Sequence, residues 1–182
     1  MPADSSRVLI ILVGLPGSGK SSVGRQLARR LSLPFADSDH VIEQRIDCPI
    51  REYFEREGEG AFRDLEQAVI EELTRGSSGV LATGGGAVLR PANRECMRQA
   101  GRVIYLRSTP EELFRRLRQD AVRPLLQVAD PLQRLRTLFD ERDPLYRETA
   151  HFVIETGRPS VAMVVNMVVM QLELAGVLPP HP

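Results

Sequence analysis

The chain has only two cysteines and one lysine among its 182 residues, carries no net charge and has no long apolar run, and each shortage narrows what it can do. Cys48 and Cys96 lie far apart without C-x-x-C spacing, which argues against a disulfide framework or a zinc site and fits a reducing cytoplasm. Lysine plus arginine and aspartate plus glutamate each total 24, so the formal charge is zero. That balance argues against nucleic-acid and membrane-surface partners and points to small molecules. No segment approaches the roughly 18 apolar residues of a membrane span, and Met1 to Arg7 lacks the hydrophobic core of a signal peptide. No repeat, low-complexity block or linker interrupts the chain. The expectation is one cytoplasmic domain over residues 1–182, acting as a monomer.

The lone lysine marks the most informative stretch. Lys20 lies in Gly14-Leu15-Pro16-Gly17-Ser18-Gly19-Lys20-Ser21, which fits G-x-x-x-x-G-K-[ST] and follows the apolar run Val8 to Val13. The run reads as a buried strand, the glycines let backbone N–H groups converge on an anion, and the next helix adds its positive end. The octet predicts a phosphate-binding loop. A guanidinium is a broad planar fork, whereas such a loop needs a compact charge between β- and γ-phosphates. A lysine kept in an otherwise all-arginine chain therefore points to chemistry at Lys20.

Downstream, Val23, Leu27, Ala28 and Leu31 share one face of an amphipathic helix over 20–31. A short strand over 33–36 ends in Asp37-Ser38-Asp39. Both carboxylates are expected on one face at a strand's carboxyl end, where ligands collect in open α/β sheets. The pair also suits a helix cap, with Asp39 capping and Asp37 binding. Residues 40–74 read as two or three short helices, broken at Cys48-Pro49 and around Glu57 to Gly60, with Arg63 and Glu66 on one face. A strand over 78–83 runs into Gly84-Gly85-Gly86, where bare backbone either admits a ligand or makes a turn before a helix over 91–99.

A fourth strand over 102–106 precedes a helix opening near Thr109-Pro110 and an arginine-rich stretch from Arg115 to Leu126. That stretch reads as a mobile lid over about 116–128 that carries cations to phosphates, or as a solvated basic helix end. A helix over 131–143 with Arg142 near its end, a last strand over 152–155, an apolar helix reaching Leu174 and a frayed tail over 178–182 complete the pattern. Five strands alternating with helices predict an α/β fold, a three-layer α/β/α domain around a parallel sheet.

Six motifs stand in one order: G-L-P-G-S-G-K-S at 14–21, D-S-D at 37–39, F-R at 62–63, T-G-G-G at 83–86, R-P-L-L at 123–126 and R-D-P-L-Y at 142–146. In that order the chain resembles the shikimate kinases, P-loop kinases of the nucleoside monophosphate kinase structural class, from about Val8 to Leu174. The resemblance implies transfer of the ATP γ-phosphoryl group to the 3-hydroxyl of shikimate, giving shikimate 3-phosphate and ADP in chorismate biosynthesis, with Mg2+. It implies that Gly17, Ser18, Gly19, Lys20, Ser21 and Ser22 hold ATP, that Arg116 lies against adenine, and that Arg123 reaches the phosphates from the lid. Asp39, Arg63, Gly84, Gly85, Gly86 and Arg142 would form the shikimate pocket, with Glu66 orienting Arg63. Ser21 and Asp37 would hold Mg2+, and Lys20, Asp39 and Arg123 would carry catalysis.

The chemistry of these residues suits those roles. Two arginines can meet a carboxylate, and Asp39 can accept hydrogen bonds from ring hydroxyls. Three places depart from the family pattern, the mildest being Ser22 in place of the frequent threonine. Ile46-Asp47 stands where many members carry Thr-Gly, and the loop at Thr156 to Ser160 aligns loosely with the family's adenine-side loop. The rival readings are a related P-loop kinase acting on gluconate or a nucleoside monophosphate, and a nucleotide-binding regulatory module without catalysis. The triple glycine with Arg63 and Arg142 favours a compact carboxylated ring over a nucleobase, substrate assays separate the kinase readings, and the full set Lys20, Ser21, Asp37, Asp39 and Arg123 argues against the regulatory module.

Overall fold

A computed structural model describes residues 7–76, 78–118, 128–157 and 160–180. In chain order the elements are β1 (Leu9–Val13), α1 (Lys20–Leu31), β2 (Phe35–Asp37), α2 (Ser38–Ile46), α3 (Ile50–Glu57), α4 (Glu59–Thr74), β3 (Gly79–Ala82), α5 (Pro91–Ala100), β4 (Arg102–Arg107), α6 (Pro110–Leu117), α7 (Pro131–Thr149), β5 (Phe152–Glu155) and α8 (Val161–Leu174). All five strands are parallel, in the order β2-β3-β1-β4-β5. Among the described residues no helix is long and apolar enough to cross a membrane.

The unbroken apolar run of β1 is what a central parallel strand requires, because both of its faces are covered. Ile10 and Leu12 face α1 and α8, where Leu27, Val165 and Val168 close one slab of core. Leu9, Ile11 and Val13 face the other side, against Met97, Leu113 and Leu138 of α5, α6 and α7. Helices on both faces make the expected three layers. The chain leaves β1 for β2 and β3 on one side and reaches β4 on the other, so the order reverses beside β1. Loops after β1, β2 and β3 converge at that point, the usual crevice for ligands in such sheets.

Two expectations need correction here. The helix expected to close at Asp143 runs on to Thr149, through Pro144. A proline inside a helix removes a backbone N–H and crowds the preceding turn, at a cost of about 3 kcal/mol. Burial of Tyr146 and Thr149 beyond it holds the helix, and the Thr149 hydroxyl donates to the Leu145 carbonyl at 2.6 Å. Arg142 therefore stands mid-helix. The tail is anchored at Leu178, whose side chain packs on the α1–α8 slab, while the N–H groups of Val177 and Leu178 donate to the Leu172 carbonyl at 2.9 and 3.3 Å. Residues 119–127 of the expected lid, Arg123 and the R-P-L-L motif among them, lie outside the described residues.

The turn after α2 contains one of the departures from the family pattern. The Ile46-Asp47 departure leaves its geometry unremarkable for a helix end: Asp47 takes φ 52° and ψ 36°, and its N–H donates to the Glu43 carbonyl at 3.0 Å. An L side chain is strained there and glycine is not, so Asp47→Gly should stabilise the protein by about 0.5–1 kcal/mol. Urea denaturation would register this as a higher midpoint with an unchanged slope, and a lower midpoint would contradict it.

Candidate active site

Between β1 and α1 the chain turns so that the Ser18 N–H donates to the Leu15 carbonyl at 3.1 Å. Gly19 takes φ 92° at the start of α1 and supplies no side-chain cap. Only glycine accepts that angle without strain, and the first N–H groups of the helix are left facing an anion cradle. Lys20 is 8% exposed, and its Nζ donates to the carbonyls of Gly14 and Leu15 at 2.7 and 2.9 Å. Ser18 is buried under the loop with its Oγ unpartnered, Ser21 is half-buried, and Ser22 is exposed.

The D-S-D motif folds differently from the expectation. Strand geometry stops at Asp37 and Ser38 opens α2, so the two carboxylates do not extend along one strand face. Asp37 is the cap: its Oδ1 accepts from the N–H groups of Asp39 and His40 at 3.0 and 3.4 Å. Its Oδ2 accepts from the Ser21 hydroxyl at 2.6 Å, joining the end of β2 to the first turn of α1. Asp39 does no capping and stands against the glycine triplet. Burial pushes its carboxyl up to about 6, with the nearby charges of Asp37 and Glu66 adding to the effect and Lys20 opposing it.

Of the two readings of the triplet the structure shows the turn, with the Ala87 N–H donating to the Gly84 carbonyl at 3.1 Å, while Gly84 and Gly85 still line the cavity. A Cβ at Gly84 would come 2.5 Å from Asp39 Oδ1, one at Gly85 would come 2.6 Å from Pro16, and one at Gly86 would collide with the Arg63 guanidinium. The missing side chains therefore make room for the protein's own groups. The Gly84 N–H donates to Ser38 Oγ at 3.2 Å, which gives the buried middle residue of D-S-D a role in holding the triplet. Gly17, Gly19, Lys20, Ser21, Ser22, Asp37, Asp39, Gly84 and Gly85 line one cavity of about 260 Å3.

Beside it, Arg63 donates to Glu66 at 2.8 Å, and Glu66 is 1% exposed. The pair is thus not the solvated surface bridge that its spacing alone would suggest. Burial raises the Glu66 carboxyl, while the charges of Arg63 and Arg142 pull it back. The Nε atoms of Arg63 and Arg142 are both buried without a hydrogen-bond acceptor, although Glu59 forms an ion pair with the former at 3.7 Å, so each has a donor left for an anion. On the opposite flank Arg116 donates to the carbonyls of Thr156 and Gly157, the latter at 3.1 Å, and to Ser108 Oγ at 3.3 Å. It pins the start of the 156–160 loop, of which Arg158 and Pro159 lie outside the described residues.

A family model described as shikimate kinase matches residues 16–173. A shikimate kinase of Paracidovorax citrulli is 64% identical over 176 residues, covering 95% of this chain and 96% of that protein. The chain belongs to the shikimate kinase family. Another relative so named, from Burkholderia thailandensis, is 57% identical over 178 residues, covering 98% and 97% of the two chains. Among solved structures, the shikimate kinase from Acinetobacter baumannii in complex with shikimate superposes with a TM-score of 0.87 at 46% identity, covering 95% and 96% of the two chains. A gluconokinase from Sinorhizobium meliloti, at 19% identity and a TM-score of 0.59 over 93% of each chain, shares the fold alone.

Of the residues singled out from sequence as marks of a shikimate kinase, the fold gathers the phosphate loop, both aspartates and two of the three glycines around one cavity, with Gly86, Arg63 and Glu66 beside them. Arg116 stands apart on α6, and Arg123 is not described. Two residues that sequence reasoning left without a role are Ser38 and Tyr146. Both lie inside quoted motifs, which was the available signal.

Proposed function

We propose that this chain transfers the γ-phosphoryl group of ATP to the 3-hydroxyl of shikimate, giving shikimate 3-phosphate and ADP. The observation that carries the reading is one cavity in which a glycine loop and its lysine face two carboxylates. A buried Arg63–Glu66 pair adjoins it. The loop N–H groups with Gly17, Ser18, Gly19 and Ser22 bind the phosphates, and Lys20 neutralises charge that grows on the transferring group. Arg63 and Arg142 hold the substrate carboxylate, Glu66 orients Arg63, and the main chain of Gly84 to Gly86 backs the ring. Asp39 takes the proton of the attacking hydroxyl or fixes that hydroxyl in line. Its raised pKa suits a group that must exchange a proton near neutrality.

The pairing of the Ser21 hydroxyl with Asp37 suits Mg2+, which takes few protein ligands and keeps phosphate oxygens and water as the rest. When bound, the ion supplies charge neutralisation at the phosphates. Arg116 faces adenine and Arg123 closes over the phosphates on a lid, both by family position. The enzyme works as a single-domain cytoplasmic monomer. The direct test is ADP formation by the purified protein with shikimate, gluconate and nucleoside monophosphates in parallel. Shikimate should be preferred by orders of magnitude in kcat/KM, and faster turnover of either rival acceptor would reject the assignment.

A further inference from the structure

Backbone that is neither helix nor strand must find donors for its carbonyls one by one. Residues 84–89, between β3 and α5, form such a stretch. Within it the N–H groups of Ala87 and Leu89 donate to the carbonyls of Gly84 and Gly86, each at 3.1 Å, and the Tyr146 hydroxyl donates to that of Gly85. The carbonyls of Ala87, Val88 and Leu89 take side-chain donors from the first turn of α5 instead. Asn93 Nδ2 donates to Ala87 at 3.0 Å, and Arg94 Nη1 donates to Val88 at 2.8 Å and to Leu89 at 3.3 Å. Ala87 and Val88 are fully buried, so water cannot stand in for these donors.

Arg94 also reaches a second element. Its Nε lies 3.8 Å from the Glu148 carboxylate of α7. One turn further along α5, Arg98 Nη1 donates to the carbonyls of Glu148 and Thr149, each at 3.1 Å, and of Ala150 at 3.3 Å, where the end of α7 leaves carbonyls without partners inside the helix. The two arginines are four residues apart and share a face of α5. That face therefore ties the glycine turn to α7, the helix that carries Arg142. The turn is in its own right a wall of the acceptor side: Gly84 and Gly85 line the phosphate-loop cavity, and the Arg63 guanidinium stands against Gly86.

We propose that Arg94 is a positioning residue for the acceptor substrate, its guanidinium holding the Val88 and Leu89 carbonyls so that the turn keeps Gly84 to Gly86 in place against Asp39 and Arg63. A guanidinium offers several donors from one rigid plane, so it can serve two carbonyls and a carboxylate at once, which an ammonium does less well. The inference rests on the function proposed above, in which Asp39 and Arg63 meet the acceptor. Arg94 acts through the turn and not on the substrate.

The test is Arg94→Met in the full chain, which keeps most of the aliphatic stem and removes the donors, with steady-state kinetics in both substrates. KM for shikimate should rise about tenfold, with kcat within about threefold and KM for ATP within about twofold, because what is lost is the placement of a ground-state wall. Arg94→Lys keeps a cationic donor and should recover part of the loss, leaving KM for shikimate about twofold to fivefold above wild type. A lower melting temperature with KM for shikimate unchanged, an equal rise in both KM values, or a lysine variant no better than methionine would each overturn the positioning role. Should the methionine variant not fold, the lysine variant decides alone: a wild-type KM for shikimate in it would overturn the proposal. Wild-type protein that ignores shikimate would instead remove the proposed function, and this inference with it.

Discussion

Lys20→Met is expected to lower kcat by about a thousandfold or more while leaving the protein folded. The negative charge that develops on the phosphoryl oxygens needs a compact cation at the mouth of the loop, and Lys20 is the only lysine in the chain. In the structure its Nζ is satisfied by the carbonyls of Gly14 and Leu15, so the methionine variant loses two charge-assisted hydrogen bonds. It also loses the burden of burying a cation, and the Leu15 carbonyl keeps the Ser18 N–H. The two effects oppose each other, and stability should change by no more than about 1 kcal/mol. Lys20→Arg should fail nearly as badly, because a planar fork does not fit where a point charge sits between loop carbonyls and phosphates. Turnover within about tenfold of wild type for the arginine variant, in a protein whose melting temperature is unchanged, would remove the special role of this lysine.

Much of this site was legible in the sequence because its signals are local. The glycine loop between an apolar strand and an amphipathic helix needs no tertiary information, and the strand and helix order follows from periodicity. What could not be read depends on contacts between distant segments. Which aspartate caps α2 was decided by Ser21, sixteen residues earlier in the chain, which claims the second oxygen of Asp37. The helix expected over 131–143 continues through Pro144 because Tyr146 beyond it is buried against Tyr105. The triplet at Gly84 to Gly86 could be open backbone or a turn on its sequence, because nothing local reveals that Asp39, Pro16 and Arg63 fill the space beside it. The Arg63–Glu66 pair has the spacing of an ordinary surface bridge, and only the packing around Glu66 distinguishes it.

Asp39→Asn should separate activity from stability, moving them in opposite directions. An amide cannot take the proton of the acceptor hydroxyl, so kcat should fall at least about a hundredfold. The same change removes a carboxylate whose pKa is raised from 3.8 to about 6, chiefly by burial and next by the charge of Asp37. Between those two values the folded protein binds more protons at this position than the unfolded chain does. The Asp39 contribution to stability therefore declines as pH rises from about 4 to about 6, and above that range the full cost is present. The pKa difference sets that cost at up to about 3 kcal/mol. In nucleotide-free, Mg2+-free urea titrations the asparagine variant should accordingly be more stable than wild type at pH 7, with the gap closing as the pH approaches 4. A gap that stays constant with pH, or a variant less stable at pH 7, would show that Asp39 is not held against its own ionisation. Wild-type turnover in the variant would remove Asp39 from the catalytic group.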